Sequence, residues 1–295
     1  MRNRDKRRLI HFFFFTLYGL FFVSVLSGLE KPEAFEGILN LTTVDIEKEG
    51  PVGLDGEWEF YWKIFIPAEG ILENSPRTKT GFTGYIEMPV IWNSYRIEDK
   101  KLGGSGYASY RLILMANLVE GEEYAFLLPD IYTAGRFYVN GRELLEAGTA
   151  GRSESVTVPQ WKRSIVTWKA EEGPVEIVLH ISNFHHRKGG LSDTITFGLV
   201  EHLQEEHYRR IHFEYFIVGS LLIILLYHFG LFLLRPKEKA PLFFALFCLL
   251  ITIRLFLTGE TYIIPPETVF FWGLFLKIEY LTIYLGIPIF ALFTN

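Results

Sequence analysis

Arg136-Phe137-Tyr138-Val139-Asn140-Gly141-Arg142-Glu143-Leu144-Leu145 decides the fold class of this chain. Asn-Gly suits a type I′ turn, in which both central residues need positive φ and the turn's twist matches that of the strands it joins. The flanking residues have strand composition, so 136–139 and 142–145 are predicted to pair as a hairpin. Working outward, period-two patterning with Val, Ile, Tyr, Phe and Trp marks strands at 56–62, 107–116, 123–128, 136–140, 165–169, 175–183 and 194–200. Gly, Pro, Asn and Asp break them, and no comparable helical period appears between 54 and 199. The middle of the chain, 29–200, is therefore predicted to be an all-β sandwich of eight or nine short strands.

The 295 residues are 49% hydrophobic and 21% charged, which supplies a full core and argues against disorder. With 29 basic and 34 acidic residues the net charge is −5, and no bulk positive field is available to grip nucleic-acid phosphates. One cysteine, Cys248, makes no intramolecular disulfide and no cysteine-rich zinc site. No cofactor is expected.

The two ends read differently from the middle. Arg2, Arg4, Lys6, Arg7 and Arg8 precede an apolar run over 9–26, so 1–28 is predicted to be a signal peptide or an N-terminal membrane anchor. Three further apolar spans follow at 213–234, 241–258 and 269–293, each long enough to cross about 30 Å of hydrocarbon. The loop after the first holds Arg235, Lys237 and Lys239, whereas the loop after the second holds Glu260 and Glu267 and no base. The positive-inside rule then places loop 235–240 and the C-terminus in the cytoplasm and the β domain outside. Residues 201–212 are polar and predicted to form a juxtamembrane helix. Three spans make an odd bundle, and a truncated seven-helix region is the expectation for 213–295.

Five stretches carry a resemblance. Leu54-Asp55-Gly56-Glu57-Trp58-Glu59-Phe60-Tyr61-Trp62 resembles the opening of the external domain in bacterial seven-transmembrane receptors with diverse intracellular signalling modules. Pro89-Val90-Ile91-Trp92, Gly106-Tyr107-Ala108-Ser109-Tyr110-Arg111-Leu112, Phe137-Tyr138-Val139-Asn140-Gly141 and Ile181-Ser182-Asn183-Phe184 follow in the same order. The span 243–257, with Arg254 near its end and Gly259 behind it, is similar to the second span of that class. The same β stretches resemble the jelly-roll sugar-binding domain of the β-galactosidase and β-glucuronidase family. The resemblance implies a periplasmic, galactose-binding-like jelly roll on the bacterial inner membrane. It would sense a small molecule, a carbohydrate among the candidates, ahead of seven helices and a cytoplasmic output module. Membrane lipid and a second copy of the chain, as a homodimer, are the other expected partners. A protein-docking module is the alternative, and a carbohydrate-active enzyme a more distant one.

Sugar sites combine an aromatic plane with a few polar groups. Trp92, Tyr107 and Trp161 lie beside Gly-, Pro- or polar-rich segments, where a ring stays partly exposed; core packing is the competing reading. Arg111 sits between Tyr110 and Leu112 on a strand, so it faces away from both and serves a ligand site, a solvated face or an ion pair. Asn183 and His185 open the polar loop 183–190. His185 and His186 diverge as strand neighbours and lack a third ligand, so no metal is expected there. Gly103-Gly104-Ser105-Gly106 lacks the Lys-Ser/Thr of a phosphate loop. Asp130, Glu143, Glu146 and Asp193 show no spacing that singles out a catalytic carboxylate pair, and no catalytic residues are assigned.

Within the spans, Arg254, Lys277 and Glu279 are the costly charges. Glu279 is expected to face the bundle with Arg254 as partner, unless helices beyond this chain meet these groups. The connection 200–213 contains no Gly or Pro, so a helix continuous with the first span is expected, with Leu203, Ile211 and Tyr215 on one docking face.

Overall fold

The computed structural model describes residues 31–68, 80–97, 99–259 and 269–294. The predicted export segment 1–28 and the acidic loop 260–268 lie outside them. Eleven strands build two sheets. In chain order these are β1 (Ile38–Asn40), β2 (Val52–Gly53), β3 (Gly56–Trp62), β4 (Gly84–Met88), β5 (Gly106–Met115) and β6 (Glu123–Leu128). After them come β7 (Ala134–Val139), β8 (Arg142–Ala147), β9 (Ser164–Lys169), β10 (Val175–Asn183) and β11 (Thr196–Leu199). The larger sheet runs β8-β7-β10-β5-β3-β4, with β1 added in parallel beside β5. The smaller runs β9-β6-β11-β2.

The hairpin forms where Asn140-Gly141 predicts it. Asn140 has φ 47 and Gly141 φ 80, and Val139 pairs with Arg142 across the turn. Asn140 is held further by its side chain, whose Oδ1 accepts from the Glu176 N–H at 2.8 Å. The other predicted strands are present, with ends moved by a residue or two. β1, β2 and β4 were not among them: β1 and β2 are only three and two residues long, too short for alternation to register.

The sandwich closes because alternate residues meet across it. Val175, Ile177, Leu179 and Ile181 on β10 join Trp58, Phe60, Tyr110, Phe126, Phe137 and Phe197 in one buried core. Phe126 of the smaller sheet and Phe137 of the larger have ring centroids 5.2 Å apart. Each such side chain contributes about 2–3 kcal/mol through apolar burial. The result is the expected all-β sandwich, with a large and a small sheet compatible with a galactose-binding-like jelly roll.

Besides two short two-stranded ladders and two single 3-10 turns, the described residues form four α-helices. A single turn, α1 (Ile46–Glu49), is capped by the Asp45 side chain accepting from Lys48 N–H. The three long ones are α2 (Val200–Leu234), α3 (Ala240–Thr258) and α4 (Val269–Thr294). Each is long and apolar enough to cross a membrane. α2 begins at the residue after β11 and runs 35 residues without a break. At 1.5 Å per residue that is about 52 Å, so it spans about 30 Å of hydrocarbon and still reaches the sandwich. Leu203 is fully buried against Ala125 and Leu127 of β6, with Ile165 and Val200 beside it. Of the predicted docking face only Leu203 is used. Tyr215 is exposed, because α2 has by then left the sheet.

Candidate functional site

Strand alternation places two sets of side chains on the larger sheet. The set facing away from the core is polar, and it too is buried: Glu59 and Tyr61 on β3, Ser109 on β5, Glu176, His180 and Ser182 on β10. Arg111 lies at the centre of this outer face. Its Nη1 donates to Glu59 Oε2 at 3.1 Å and its Nε to Glu176 Oε1, while Tyr61 Oη donates to Glu59 Oε2 at 2.8 Å. Burial opposes the guanidinium's charge, but Glu176 and Glu59 outweigh it and hold Arg111 above its ordinary range. Among the three readings of Arg111, the structure shows the ion pair. Burial, reinforced by the Glu59 hydrogen bond, raises the Tyr61 phenol well above its usual value.

Beside this triad a strap, residues 63–68, lies across the outer face. Ser109 Oγ donates to Ile64 O at 2.8 Å and accepts from Ile66 N–H at 3.1 Å. His180 Nε2 bonds Ile66 O at 2.9 Å. Phe65 is pressed into the centre, stacked on His180 at 4.9 Å and against Tyr107 at 5.0 Å, with the Arg152 guanidinium 5.9 Å over its ring. Tyr138 closes the far side of His180 at 5.1 Å. Burial pushes His180 down to about 4, against the opposing pull of its bond to Ile66 O, so its ring is neutral at pH 7.

The remaining sequence-chosen residues gather at one end of the sandwich. Asn183 is fully buried and knots two loops: its Nδ2 lies within 2.8 Å of the carbonyls of Gly104, His186 and Lys188, and its Oδ1 accepts from His186 N–H. Trp92 Nε1 donates to the same Gly104 carbonyl at 3.1 Å. Here the expectation is corrected. Trp92 is not partly exposed; it is fully buried, edge-on to Trp62 at 5.3 Å. A glycine remote in sequence allows the burial, since a Cβ on Gly189 would stand 2.3 Å from the Trp92 indole.

His185 Nε2 bonds Thr157 O at 3.0 Å, and Trp161 lies half-buried over the same end. Both meet the third long helix: Trp272 of α4 is 5.6 Å from Trp161 and 6.4 Å from His185, ring to ring. The six candidates thus divide into two groups. Arg111 and Tyr107 lie on the outer face; Trp92, Asn183, His185 and Trp161 lie at the end that meets α4. In the spans, Arg254 and Glu279 come together, Nη2 to Oε1 at 3.5 Å and Nη1 to the Glu279 carbonyl at 3.3 Å. Lys277 is exposed on α4.

Sequence reasoning missed Phe65, Tyr138 and His180 on the outer face and Trp272 at the end. The 175–183 alternation already puts His180 opposite the apolar set; no local signal marks Phe65, which is positioned by its strap. Chemically the outer face offers an aromatic wall beside hydroxyls and a neutral imidazole. Glu59 Oε2 is engaged by Arg111 and Tyr61, and Glu176 Oε1 by Arg111.

Residues 211–295 match the family model described as 7TM diverse intracellular signalling. No curated protein matches the chain. Among solved structures it is similar to a β-glucuronidase of an uncultured Clostridium sp., at 11% identity over 50% of this chain and 28% of that one, TM-score 0.34. A Bacteroides uniformis β-glucuronidase is similar at 16% identity over 50% and 17%, TM-score 0.34. One from Ruminococcus gnavus gives 13%, 50%, 28% and 0.34. This chain therefore spans under a third of the length of each. The family match over 211–295, the three apolar helices within and around it and the β domain ahead of them fit a receptor of the seven-transmembrane class with diverse intracellular signalling.

Proposed function

We propose that this chain senses a small molecule with the outer face of its larger sheet and passes the event into the membrane through α2. A carbohydrate is the favoured ligand class. A sugar presents an apolar ring face and several hydroxyls, which suits Tyr107 and His180 beside Ser109. Phe65 sits where that ring would stack, so binding displaces the 63–68 strap. The β domain lies on the periplasmic side and the loop with Arg235, Lys237 and Lys239 on the cytoplasmic side.

The observation that carries the reading is the unbroken helix from β11 into the bilayer. A helix transmits a displacement that a flexible linker would absorb. Ligand moves the equilibrium only by its difference in affinity between the strap-closed and strap-open states.

The detergent-solubilised chain should show a saturable thermal shift with one member of a sugar and metabolite panel, abolished in Tyr107→Ala. Phe65→Ala should tighten binding, because the competing plug is gone. Silence across the panel, or binding indifferent to Tyr107, sinks the site. A four-residue Gly-Ser insertion after Glu206 should preserve binding but abolish ligand-induced change in hydrogen exchange over 213–234.

A further inference from the structure

The loop after β10 and one face of α4 border an open cleft of about 450 Å³, lined by His185, Arg187, Lys277, Tyr280, Leu281 and Tyr284 among others. Positions 277, 280, 281 and 284 share a helix face by their three- and four-residue spacing. Two cations therefore line one cleft, Arg187 from the loop and Lys277 from a helix that is apolar enough to cross a membrane. Among the described residues neither Arg187 nor Lys277 has a carboxylate partner; Arg187 rests its guanidinium 5.9 Å over the Tyr280 ring.

The contrast with Arg254 is instructive, because that cation at a similar level has Glu279. A charge at the edge of hydrocarbon is expensive without a counter-ion. Lys277 lies eight residues into α4, about 12 Å along its axis, within snorkelling reach of the headgroup layer. Tyrosines beside it are the side chains that favour that layer. The local potential is positive by a second sign: burial lowers the His186 imidazole, and the charges of Arg187 and Lys188 push it further the same way.

We propose that this cleft binds the phosphate of an anionic phospholipid in the leaflet facing the β domain, with Arg187 and Lys277 as its two cations and Tyr280 and Tyr284 flanking it. The acyl chains then lie along the apolar side of α4 by Leu281. A zwitterionic lipid fits less well, since its quaternary ammonium enters a site already holding two positive charges. The lipid would clasp the β10 loop to α4, fixing the sandwich against the bundle at a point separate from Leu203.

The inference rests on α4 crossing the membrane and on no ligand of the sandwich, so it can fail or stand apart from the sensing site. Native mass spectrometry of the full chain in detergent, titrated with dioctanoyl phosphatidylglycerol, reads it directly. One adduct should dominate, and Arg187→Gln and Lys277→Gln should each lower its affinity about fivefold. Lys277→Arg should keep it, which separates lost charge from a disturbed fold. Phosphatidylcholine of equal chain length should bind several-fold more weakly. Equal retention by wild type and the double Gln variant overturns the proposal. Displacement of the lipid by millimolar inorganic phosphate also overturns it, since the cleft would then be a site for the free anion.

Discussion

On β10, Val175, Ile177, Leu179 and Ile181 point into the sandwich, Glu176, Val178, His180 and Ser182 point out of it, and both sets are buried. The inner face is held by packing, which is non-directional and forgiving of small changes in shape. The outer face is held by pairing: Arg111 with two carboxylates, Ser109 and His180 with the strap backbone. A buried polar group is tolerable only while its partners stay in place. The two faces should therefore respond differently to substitution and pH.

The sharpest break of that comparison is Arg111→Met. It strands Glu59 and Glu176 without their cation and should cost about 4 kcal/mol. Replacing all three (Glu59→Gln, Arg111→Met, Glu176→Leu) should recover most of it, as chemical denaturation followed by tryptophan fluorescence will show. A loss under about 1 kcal/mol for the single variant would mean that solvent reaches the triad. Leu179→Ala on the inner face should cost about 3 kcal/mol. No second substitution of a polar neighbour should restore it, and the loss should be the same at pH 5 and pH 8.

His180 gives the outer face its own pH signature. Its folded value of about 4 lies below the roughly 6.5 of an unfolded histidine, so between those values the unfolded chain binds more protons. Stability is whole above pH 6.5 and falls as pH drops towards 4. A gap of about 2.5 units at 1.36 kcal/mol each bounds the loss at about 3 kcal/mol. His180→Asn should flatten that part of the pH profile, and an unchanged slope would show that the ring is already charged or solvated. The smallest effect belongs to the hairpin. Asn140→Ala puts at φ 47 a residue that tolerates the left-handed region less well than Asn and removes the acceptor for Glu176 N–H, at a cost of about 1–2 kcal/mol. Asn140→Gly should recover part of this, since it removes the backbone strain but not the lost bond.

Much of the fold was legible because its signals are local. Asn140-Gly141 fixes a turn through its own φ angles, and alternation along 175–183 assigns each side chain to a face. The continuity of 200–234 was legible too, from the lack of Gly or Pro where the helix leaves the sheet. The site was read less well, and Trp92 shows why. Its setting beside Pro89, Asn93 and Ser94 looked like an open loop, yet Gly104 and Gly189, distant in sequence, are bare so that backbone can close over the indole. Sequence records that a side chain is missing; it does not record what occupies the space.

The amino-acid sequence by itself determined the strand pattern, the hairpin, the three apolar spans and the residues that must avoid water, because each follows from periodicity, turn stereochemistry or segment length. Only the tertiary structure decided that the polar face of the larger sheet is covered. It also decided that Phe65 plugs that face, and that Arg111 answers Glu59 and Glu176 from strands 52 and 65 residues away. Burial of a polar group depends on which distant segment lies over it, and that is settled by how the whole chain closes rather than by the neighbours of any one residue.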